Sequence, residues 1–322
     1  MTRTALAALG ASALALAAPF SFAQGYPTKP VRVIVPYPAG GADVFLRLIT
    51  PKMSESLGQS VVVDNRAGAN GVIGTAEAAK AAPDGYVILF GPSSSQIGAK
   101  LLMKAATYDP VKDFTPITTV HESPMLLTVH PSLPVQSVKE LVDYAKKNPG
   151  KLSYGTVGNG SVMHLNGEVF LRATGTEMLA VPYAGLPALV NDTLGGRVQV
   201  GFSTLASTVA QAQAGKLRAI AILEPRTLSI LPGVPSVSQT IPGFRKPAAW
   251  TGLFGPAGLP RPIVARLNEA AVRALAAADV REAFEKAHGV ALGATPEETR
   301  AYLESELELT TKVVKEIGLQ PE

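Results

Sequence analysis

The chain of 322 residues contains no cysteine. Disulfide bonds, thiolate metal sites and a cysteine nucleophile are therefore excluded. A lipid-modified cysteine is excluded as well, so we expect an exported form to be free rather than lipid-anchored. A chain without disulfides depends on its hydrophobic core. A content of 47% hydrophobic residues over this length is enough for two domains with full cores.

Charge is sparse too. Only 17% of the residues are charged, and the formal net charge is +4. Lysine and arginine are scattered, without a cluster or an aromatic stripe, which argues against nucleic-acid binding. The mild positive balance could favour an anionic ligand, although ordinary surface charge explains it more simply. The four histidines lack the spacing of metal ligands, so we predict no metal site and no cofactor; they are His121, His130, His164 and His288.

Long apolar runs are absent except near the N-terminus. There Arg3 precedes the run ALAALGASALALAAPF, and Ser21-Phe22-Ala23 forms a small-x-small cleavage signal. A transmembrane anchor would need a longer run and stronger flanking charge. We therefore predict a signal peptide over residues 1–23 that is cleaved on export, and a soluble exported protein.

Beyond this run, short apolar segments alternate with helical patterns. The segments VRVIV (31–35), SVVVDN (60–65) and YVILFG (86–91) are continuous apolar runs, typical of parallel strands covered on both faces. Helices are predicted over 43–57 and around 72–82, with a further helical stretch after the third strand. This alternation favours an open α/β fold.

A second, similar series begins with the predicted strand 124–131. Its other strands are predicted within 151–156, 178–183, 198–203 and 217–223, and its helices over 137–147, 161–174, 186–195 and 205–214. A loop rich in proline, glycine and serine follows. The strand 248–256 and helices over 260–276, 278–287 and 296–317 complete the pattern, with Thr295 as an N-cap.

This order predicts a hinged clamshell: two α/β lobes, each a mostly parallel sheet flanked by helices, joined by two crossing strands. Domain 1 is predicted over 24–125 and 248–322, and domain 2 is inserted over 126–247. In open sheets of this kind, ligands bind at the C-terminal ends of the strands.

Two glycine-bearing turns, PYPAGGAD (36–43) and YGTVGNGSVMH (154–164), stand at such strand ends, one in each half. Each opens into a helix, where backbone N–H groups and the helix dipole favour an anion. A single turn of this kind can be a well-capped helix and nothing more, because Asp43 can cap the helix or pair with Arg47. Two turns, one per half, indicate two jaws that close on one anionic ligand.

The second turn raises two alternatives. Its G-x-x-G-x-G spacing reverses that of a dinucleotide loop, and the usual downstream acidic residue is not evident, so a nucleotide is disfavoured. Ser161 can cap the helix and offer its hydroxyl to a carboxylate. A catalytic pair with His164 is conceivable, but the chain has no G-x-S-x-G elbow and no acidic orienter. Packing or hydrogen bonding is the favoured role of His164.

Two further turns, GPSSSQ (91–96) and VPYAGLPA (181–188), also follow predicted strands. Each is weak by itself, since plain helix capping explains it equally well. The four turns gain weight because they recur at equivalent places.

Six blocks carry a resemblance to a known family: YPTKPVRVIVPYPAGG, LGQSVVVDNRAGANGVIGTAEAAKAAPDGY, YDPVKDFTPIT, HPSLPVQSVKELVDYAKKNPGKLSYGTVGNGSVMHL, VPYAGLPALVNDTLGGRVQVGF and GPAGLPRPIV. In this order and spacing the chain resembles the substrate-binding receptors of tripartite tricarboxylate transporters, also called Bug receptors. The resemblance covers essentially the whole chain after the predicted signal peptide.

The resemblance implies a periplasmic two-domain receptor, not an enzyme, that traps a small organic carboxylate. It implies delivery to an inner-membrane permease with one large and one small subunit, and we expect the receptor to be a monomer. The ligand carboxylate would be held largely through backbone N–H groups and bridging waters, at Pro38, Ala39, Gly40, Gly41 and Asp43 and at Gly158, Gly160, Ser161 and His164. The rest of the pocket would be shaped by Ser93, Ser94, Gln96, Tyr183, Gly185, Pro187 and Ala188.

The chain departs from the family pattern in two places. Only Ala42 stands between the glycine pair and Asp43, where the family usually has two small residues, so the N–H directions of the first turn should shift. Phe45 adds bulk close to that turn. Ser203, a further candidate ligand contact, stands where many members carry aspartate, which argues against a cationic amine on the ligand.

Three functions follow from these observations. A solute receptor is the leading hypothesis. A periplasmic hydrolase that uses Ser161 and His164 is the first alternative, and a ligand sensor that serves a signalling partner is the second. The identity of the carboxylate is left open by the sequence, since dicarboxylates, tricarboxylates, aromatic acids, acidic amino acids and nicotinate-like compounds all fit the same turns.

Overall fold

The computed structural model describes residues 25–322, so the predicted signal peptide lies outside the described residues. The strands are β1 (Val31–Val35), β2 (Val61–Asn65), β3 (Val87–Pro92), β4 (Phe114–Glu122), β5 (Met125–Val129), β6 (Ser153–Thr156), β7 (Leu179–Pro182), β8 (Val200–Thr204), β9 (Arg218–Ile222), β10 (Trp250–Pro256) and β11 (Val290–Ala291). The helices are α1 (Asp43–Leu57), α2 (Val72–Ala79), α3 (Ala99–Leu102), α4 (Val138–Lys147), α5 (Val162–Thr174), α6 (Leu186–Leu194), α7 (Leu205–Gln213), α8 (Arg261–Ala276), α9 (Ala278–Lys286) and α10 (Pro296–Ile317). A π-helical turn (Ser94–Gly98) precedes α3, and short 3-10 turns lie at Ala69–Gly71 and Val237–Gln239.

These elements form two sheets. The first has the order β11-β4-β10-β3-β1-β2, and the second has the order β7-β6-β8-β5-β9. The first sheet with α1–α3 and α8–α10 is called the first lobe, and the second sheet with α4–α7 is called the second lobe. The predicted division into two domains remains a prediction; its boundaries fall at the first residue of β5 and just before β10.

Both sheets are mixed, although most strands of each run in one direction. In the first sheet β1 is parallel to β2 and β3, whereas β10 is antiparallel to both neighbours. In the second sheet β6 is parallel to β7 and β8, whereas β5 is antiparallel to both neighbours. Each of these antiparallel strands is the first that the chain forms after it crosses from the other lobe. Such a strand starts at the crossing, where the parallel strands end, and so runs against them.

The continuous apolar run of β1 is buried on both faces, as its sequence predicts. Val31, Val33 and Val35 belong to the core cluster that includes α1 and α8. Ile34 points the other way, into a second cluster with Leu89 and Trp250. Burial of each such side chain contributes about 1.5–3 kcal/mol. The strand therefore forms the centre of a sheet covered by helices on either side.

Several predicted elements are confirmed, and two strands were missed. Helices α1 and α10 have the predicted bounds, and α10 begins with a capping box: Thr295 Oγ1 accepts from the Glu298 N–H (3.1 Å), and Glu298 Oε2 accepts from the Thr295 N–H (2.9 Å). Strand β4 was missed because its sequence, FTPITTVHE, contains three threonines and a proline. This proline, Pro116, pairs with Phe254 of β10 next to an irregularity in the strand register. Strand β11 was missed because it has only two residues.

The two connections between the lobes run side by side. The Ser123 N–H donates to the Ala249 carbonyl (2.8 Å), and the Leu223 N–H donates to the Met125 carbonyl (2.9 Å). These hydrogen bonds tie the crossing into β5 to the crossing into β10, which gives the lobes a common hinge.

A polar cluster supports this hinge. Glu224 Oε2 accepts from the Met125 N–H (2.9 Å), and Glu224 Oε1 pairs with Lys246 Nζ (2.8 Å). Glu306 Oε2 accepts from the Ala248 N–H (3.1 Å), and burial raises the pKa of the Glu306 carboxyl. No helix among residues 25–322 is long and apolar enough to cross a membrane.

Candidate functional site

A cavity of about 220 Å³ lies between the two lobes. Residues of the first lobe and of the hinge form one wall: Tyr37, Pro38, Gly40, Gly41, Ala42, Val44, Phe45, Pro92, Ser93, Ser94, His121, Ser123, Ala249, Trp250, Thr251 and Ala287. Residues of the second lobe form the opposite wall: Val157, Val162, Met163, Gly185, Leu186, Thr204, Ala206 and Ser207. The volume suits a small metabolite, since drug-sized ligands occupy pockets of about 300–1,000 Å³.

Five helical segments begin at this cavity: α1, the π-helical turn, α5, α6 and α7. This convergence follows from the topology, because β1, β3, β6, β7 and β8 run in parallel within their sheets and each leads directly into one of these helical segments. Helix N-termini carry partial positive charge. Within residues 25–322, no side chain of Asp, Glu, Lys or Arg lines the cavity. The polarity of the described wall therefore comes from backbone dipoles and from hydroxyl groups.

The first glycine turn is closed on itself. Asp43 Oδ1 accepts hydrogen bonds from the N–H groups of Gly40 (2.9 Å) and Gly41 (3.0 Å). Asp43 Oδ2 accepts from Arg47 Nε (3.0 Å), so the pairing that explains Asp43 without any ligand is present. The Asp43 carboxylate is only 1% exposed and does not line the cavity, whereas Pro38, Gly40 and Gly41 do. These two glycine N–H groups hold the protein's own carboxylate.

The second glycine turn lies against the first lobe. Asn70 Nδ2 donates to the Asn159 carbonyl (2.7 Å), and the Val162 N–H donates to Ser94 Oγ (3.0 Å). Asn70 is held in turn by the Tyr37 hydroxyl, which lies 2.7 Å from Asn70 Oδ1. The first N–H group of α5 is thus bound by a hydroxyl of the opposite lobe.

The same turn makes a close backbone contact. A Cβ atom on Gly98 would overlap the Gly160 carbonyl oxygen, so the two backbones meet with no room for a side chain. Behind them, Leu165 of α5 packs in a buried cluster with Leu102 and Val314 of the first lobe. Together these contacts join the two lobes across the cleft.

Ser161 and His164 act within their own helix. Ser161 Oγ accepts from the His164 N–H (3.2 Å), as an N-cap, and this predicted capping role is confirmed. His164 Nδ1 accepts from the Gly160 N–H (3.2 Å), which requires the unprotonated nitrogen. Burial lowers the pKa of His164, against the opposing effect of the Glu168 carboxylate. Neither hydrogen bond joins the imidazole to the serine hydroxyl.

Of the other predicted site residues, Ser93, Ser94 and Gly185 line the cavity. The Ser93 hydroxyl donates to the Ala248 carbonyl (2.9 Å). The remaining candidates do not line the cavity. Ala39, Pro187 and Ala188 are exposed, whereas Gln96 and Ser203 are buried. Gly158 faces Asn70, and the Tyr183 hydroxyl donates to Asp192 Oδ2 (3.1 Å). Predicted residues at the starts of α1, the π-helical turn and α6 therefore lie together at one cavity.

Sequence reasoning missed a buried ring pair in the wall. The rings of Phe45 and His121 are stacked with centroids 3.9 Å apart, and both residues are nearly fully buried. His121 Nδ1 lies 2.6 Å from Thr251 Oγ1. Burial lowers the pKa of His121 to about 3, so the imidazole is neutral. His121 gave no signal in the sequence because β4 itself went unrecognised, whereas the bulk of Phe45 near the turn was visible.

Among residues 25–322, no group of three His, Asp or Glu side chains is arranged to hold a metal ion.

Comparisons with known proteins agree with this architecture. Residues 45–319 match the family described as the tripartite tricarboxylate transporter family receptor. Among curated proteins, the chain is 36% identical to protein BugT of Bordetella pertussis over 307 residues, which is 94% of this chain and 93% of that protein.

Two solved structures show the same fold. R. palustris Rpa4515 with adipate is 33% identical, with a TM-score of 0.88 over 92% of this chain and 100% of that one. MatC from Rhodopseudomonas palustris with bound malate is 31% identical, with a TM-score of 0.85 over 90% of this chain and 100% of that one. The predicted two-lobed α/β fold is confirmed.

Proposed function

The chain belongs to the tripartite tricarboxylate transporter receptor family, and we propose that it is a periplasmic receptor that captures a small organic carboxylate between its lobes. One observation carries this proposal: five helical N-termini and several hydroxyl groups surround a cavity that no Asp, Glu, Lys or Arg side chain of residues 25–322 lines. Such a cavity favours an anion. Related proteins that hold adipate and malate support the choice of a carboxylate.

In this proposal, backbone N–H and hydroxyl groups that are not already bonded within the protein, together with bridging waters, hold the ligand carboxylate at the predicted residues that reach the cavity. These are Pro38, Gly40, Gly41, Ser93, Ser94 and Gly185. Some of the other predicted residues instead support the turns or join the lobes. Asp43 is the clearest example, because its carboxylate fixes the first glycine turn from inside.

Transport would depend on closure of the two lobes. A ligand that contacts both walls stabilises the closed arrangement, which is otherwise a minor state. The contacts of Asn70 with Asn159 and of Ser94 with Val162 form only when the lobes meet. A membrane permease with one large and one small subunit would recognise this closed form and take the ligand from it.

The protein acts, in this proposal, as a free monomer in the periplasm after cleavage of residues 1–23. It is a receptor and not an enzyme. The hydrolase alternative would need the His164 imidazole to take a proton from the Ser161 hydroxyl, and that hydroxyl instead accepts the His164 backbone N–H. The Nδ1 atom of the His164 imidazole already accepts a hydrogen bond from the Gly160 N–H.

Thermal unfolding and small-angle scattering with a panel of organic acids test the proposal. A true ligand should stabilise the protein by about 2.7 kcal/mol at one hundred times its dissociation constant and make it more compact. A panel that changes neither property would overturn the assignment. Turnover that is abolished by Ser161→Ala would instead establish the hydrolase, and binding without turnover would exclude it. Growth of a deletion strain on the bound acid separates transport from signalling.

A further inference from the structure

Residues 68–71 form a strained turn in the first lobe. All four have positive φ angles: 140° at Gly68, 46° at Ala69, 48° at Asn70 and 85° at Gly71. Residues other than glycine adopt this region at a cost in free energy, which is smaller for asparagine than for alanine. Such a conformation persists only where surrounding contacts hold it, so the contacts of Asn70 show what holds this turn.

The carboxamide of Asn70 is held from both lobes. In the first lobe, the Tyr37 hydroxyl lies 2.7 Å from Asn70 Oδ1 and 2.9 Å from the Asn70 carbonyl oxygen, and both can accept its hydrogen. In the second lobe, the Asn159 carbonyl accepts from Asn70 Nδ2 (2.7 Å), and Gly158 lies against Asn70 Cβ. Because Oδ1 faces the Tyr37 hydroxyl, Nδ2 is turned toward the second lobe. Opening of the cleft therefore removes the partner of a donor that Tyr37 has oriented.

Tyr37 connects this contact to the cavity. Its side chain lines the cavity, and its ring lies against Gly71, where a Cβ atom would come within 3.2 Å of the ring. The Tyr37 carbonyl accepts from Asn65 Nδ2 (2.9 Å), and Asn65 Oδ1 accepts from Arg47 Nη2 (2.9 Å). Arg47 in turn binds Asp43, which fixes the first glycine turn. A molecule in the cavity that contacts Tyr37 therefore contacts the residue that orients Asn70.

We propose that Asn70 is a positioning residue for ligand capture and that Tyr37 couples it to the cavity. This inference rests on the proposed function and adds the residues that determine how long the lobes stay closed. The closed form has the hydrogen bond from Asn70 to the Asn159 carbonyl, and the open form lacks it. Loss of the Asn70 carboxamide, or of the hydroxyl that orients it, therefore shifts the balance toward the open form.

Disulfide trapping of the full mature chain, without ligand, tests this inference. A Cβ atom on Gly185 would lie 3.6 Å from Pro38 Cβ on the opposite lobe, within the range of about 3.5–4.5 Å that a disulfide needs. The backbone of Gly185 is extended, so it accepts a side chain. Because the chain contains no cysteine, Pro38→Cys with Gly185→Cys gives one reporter pair. The rate at which this pair forms its disulfide in oxidised glutathione measures the fraction of closed molecules.

Asn70→Gly keeps the backbone conformation, since glycine adopts positive φ freely, and removes the carboxamide. We expect it to slow trapping about fivefold, which is about 1 kcal/mol and the net size of one hydrogen bond. Tyr37→Phe should slow trapping as well. The double variant should be no slower than Asn70→Gly alone, because both changes disable the same contact. Asn148→Gly is the matched control and should leave the rate unchanged, because its carboxamide donates to the Tyr144 carbonyl within the second lobe (2.9 Å).

Trapping of Asn70→Gly at the rate of the chain that carries only the cysteine pair would overturn the role of Asn70. Additive effects of Tyr37→Phe and Asn70→Gly would overturn the role of Tyr37. Stopped-flow binding of adipate and of malate to the cysteine-free chains tests the link to capture. An acid that binds should dissociate about fivefold faster from Asn70→Gly at an unchanged association rate, and an unchanged dissociation rate would overturn that link. Failure of both acids to bind would count against the proposed carboxylate ligand, while the trapping rates would still decide the role of Asn70.

Discussion

The backbone of Gly98, in the first lobe, touches the backbone of Gly160, in the glycine turn of the second lobe. Gly98 has ordinary helical dihedral angles (φ −61°, ψ −46°), so its backbone conformation does not require glycine. The reason for glycine is steric: a Cβ atom would overlap the Gly160 carbonyl oxygen. Glycine at position 98 is therefore needed for the cleft to close, and not for local flexibility of the backbone.

Gly98→Ala should weaken ligand binding about ten- to hundredfold. The added methyl group must push the lobes apart, and overpacking of this kind costs about 1–3 kcal/mol. Calorimetric titration gives the affinity, and small-angle scattering shows whether the liganded protein still becomes compact. Gly195→Ala is the matched control, because an added Cβ atom there would lie 3.4 Å from its nearest neighbour, the Asn191 carbonyl oxygen, and Gly195 does not line the cavity. Unchanged affinity of Gly98→Ala would contradict the role assigned to this contact.

Asp43→Ala should lower the free energy of unfolding by about 2–3 kcal/mol. The substitution removes a buried carboxylate that accepts charge-assisted hydrogen bonds from the N–H groups of Gly40 and Gly41 and from Arg47 Nε. Arg47→Ala should cost less than about 1 kcal/mol, since that guanidinium is half exposed. Denaturant unfolding of both variants measures the difference. If Asp43→Ala and Arg47→Ala lowered the free energy of unfolding equally, the stabilising role of Asp43 would come from its ion pair with Arg47 and not from its hydrogen bonds to the turn.

Phe45→Ala should destabilise the protein by about 3–5 kcal/mol, because it opens a cavity next to His121 and Phe284. Val44→Ala, one residue earlier and 43% exposed, should change stability by only about 0.5 kcal/mol. Denaturant unfolding of the two variants in parallel is the measurement. A small effect of Phe45→Ala would mean that the surrounding side chains collapse into the space.

Acid should destabilise the protein through His121. Burial lowers the pKa of His121 from its ordinary 6.5 to about 3 in the folded state, so the unfolded chain binds the extra proton between these values. The contribution of His121 is therefore fully present above pH 6.5 and is lost as the pH falls toward 3. Between pH 7.5 and pH 5 this loss amounts to about 2 kcal/mol.

The free energy of unfolding of the parent chain and of His121→Gln, measured at both pH values, isolates this effect. We expect the loss on acidification to be smaller in the variant by about that amount. His130→Gln, at the end of β5, serves as the control and should retain the full loss. Identical pH dependence of all three chains would show that His121 does not titrate as its burial requires.

Much of the fold could be predicted from local sequence. The apolar run of β1, the bounds of α1 and the capping box at Thr295 and Glu298 each depend on residues that are neighbours in the chain. Such patterns determine backbone conformation within a few residues. Strand β4 escaped prediction because its threonines and Pro116 interrupt the apolar run, and only its pairing with the distant strands β10 and β11 shows it to be a strand.

The site was predicted less completely than the fold. Pro38, Gly40, Gly41, Ser93, Ser94 and Gly185 reach the cavity because each stands at a strand end, and strand ends were visible in the sequence. The stacked pair of Phe45 and His121 was not visible as a pair, since its members are separated by 76 positions (121 − 45) and meet only through packing.

The sequence by itself determined the family, the order of the elements and the places where glycine turns precede helices, because these properties depend on neighbouring residues. Only the tertiary structure decided what those turns bind. The first turn binds Asp43 from its own chain, and the second turn rests on Asn70, Ser94 and Gly98 of the opposite lobe. The physical reason is that an N–H group binds whichever acceptor folding brings within reach, and acceptors on the opposite lobe come from distant parts of the chain.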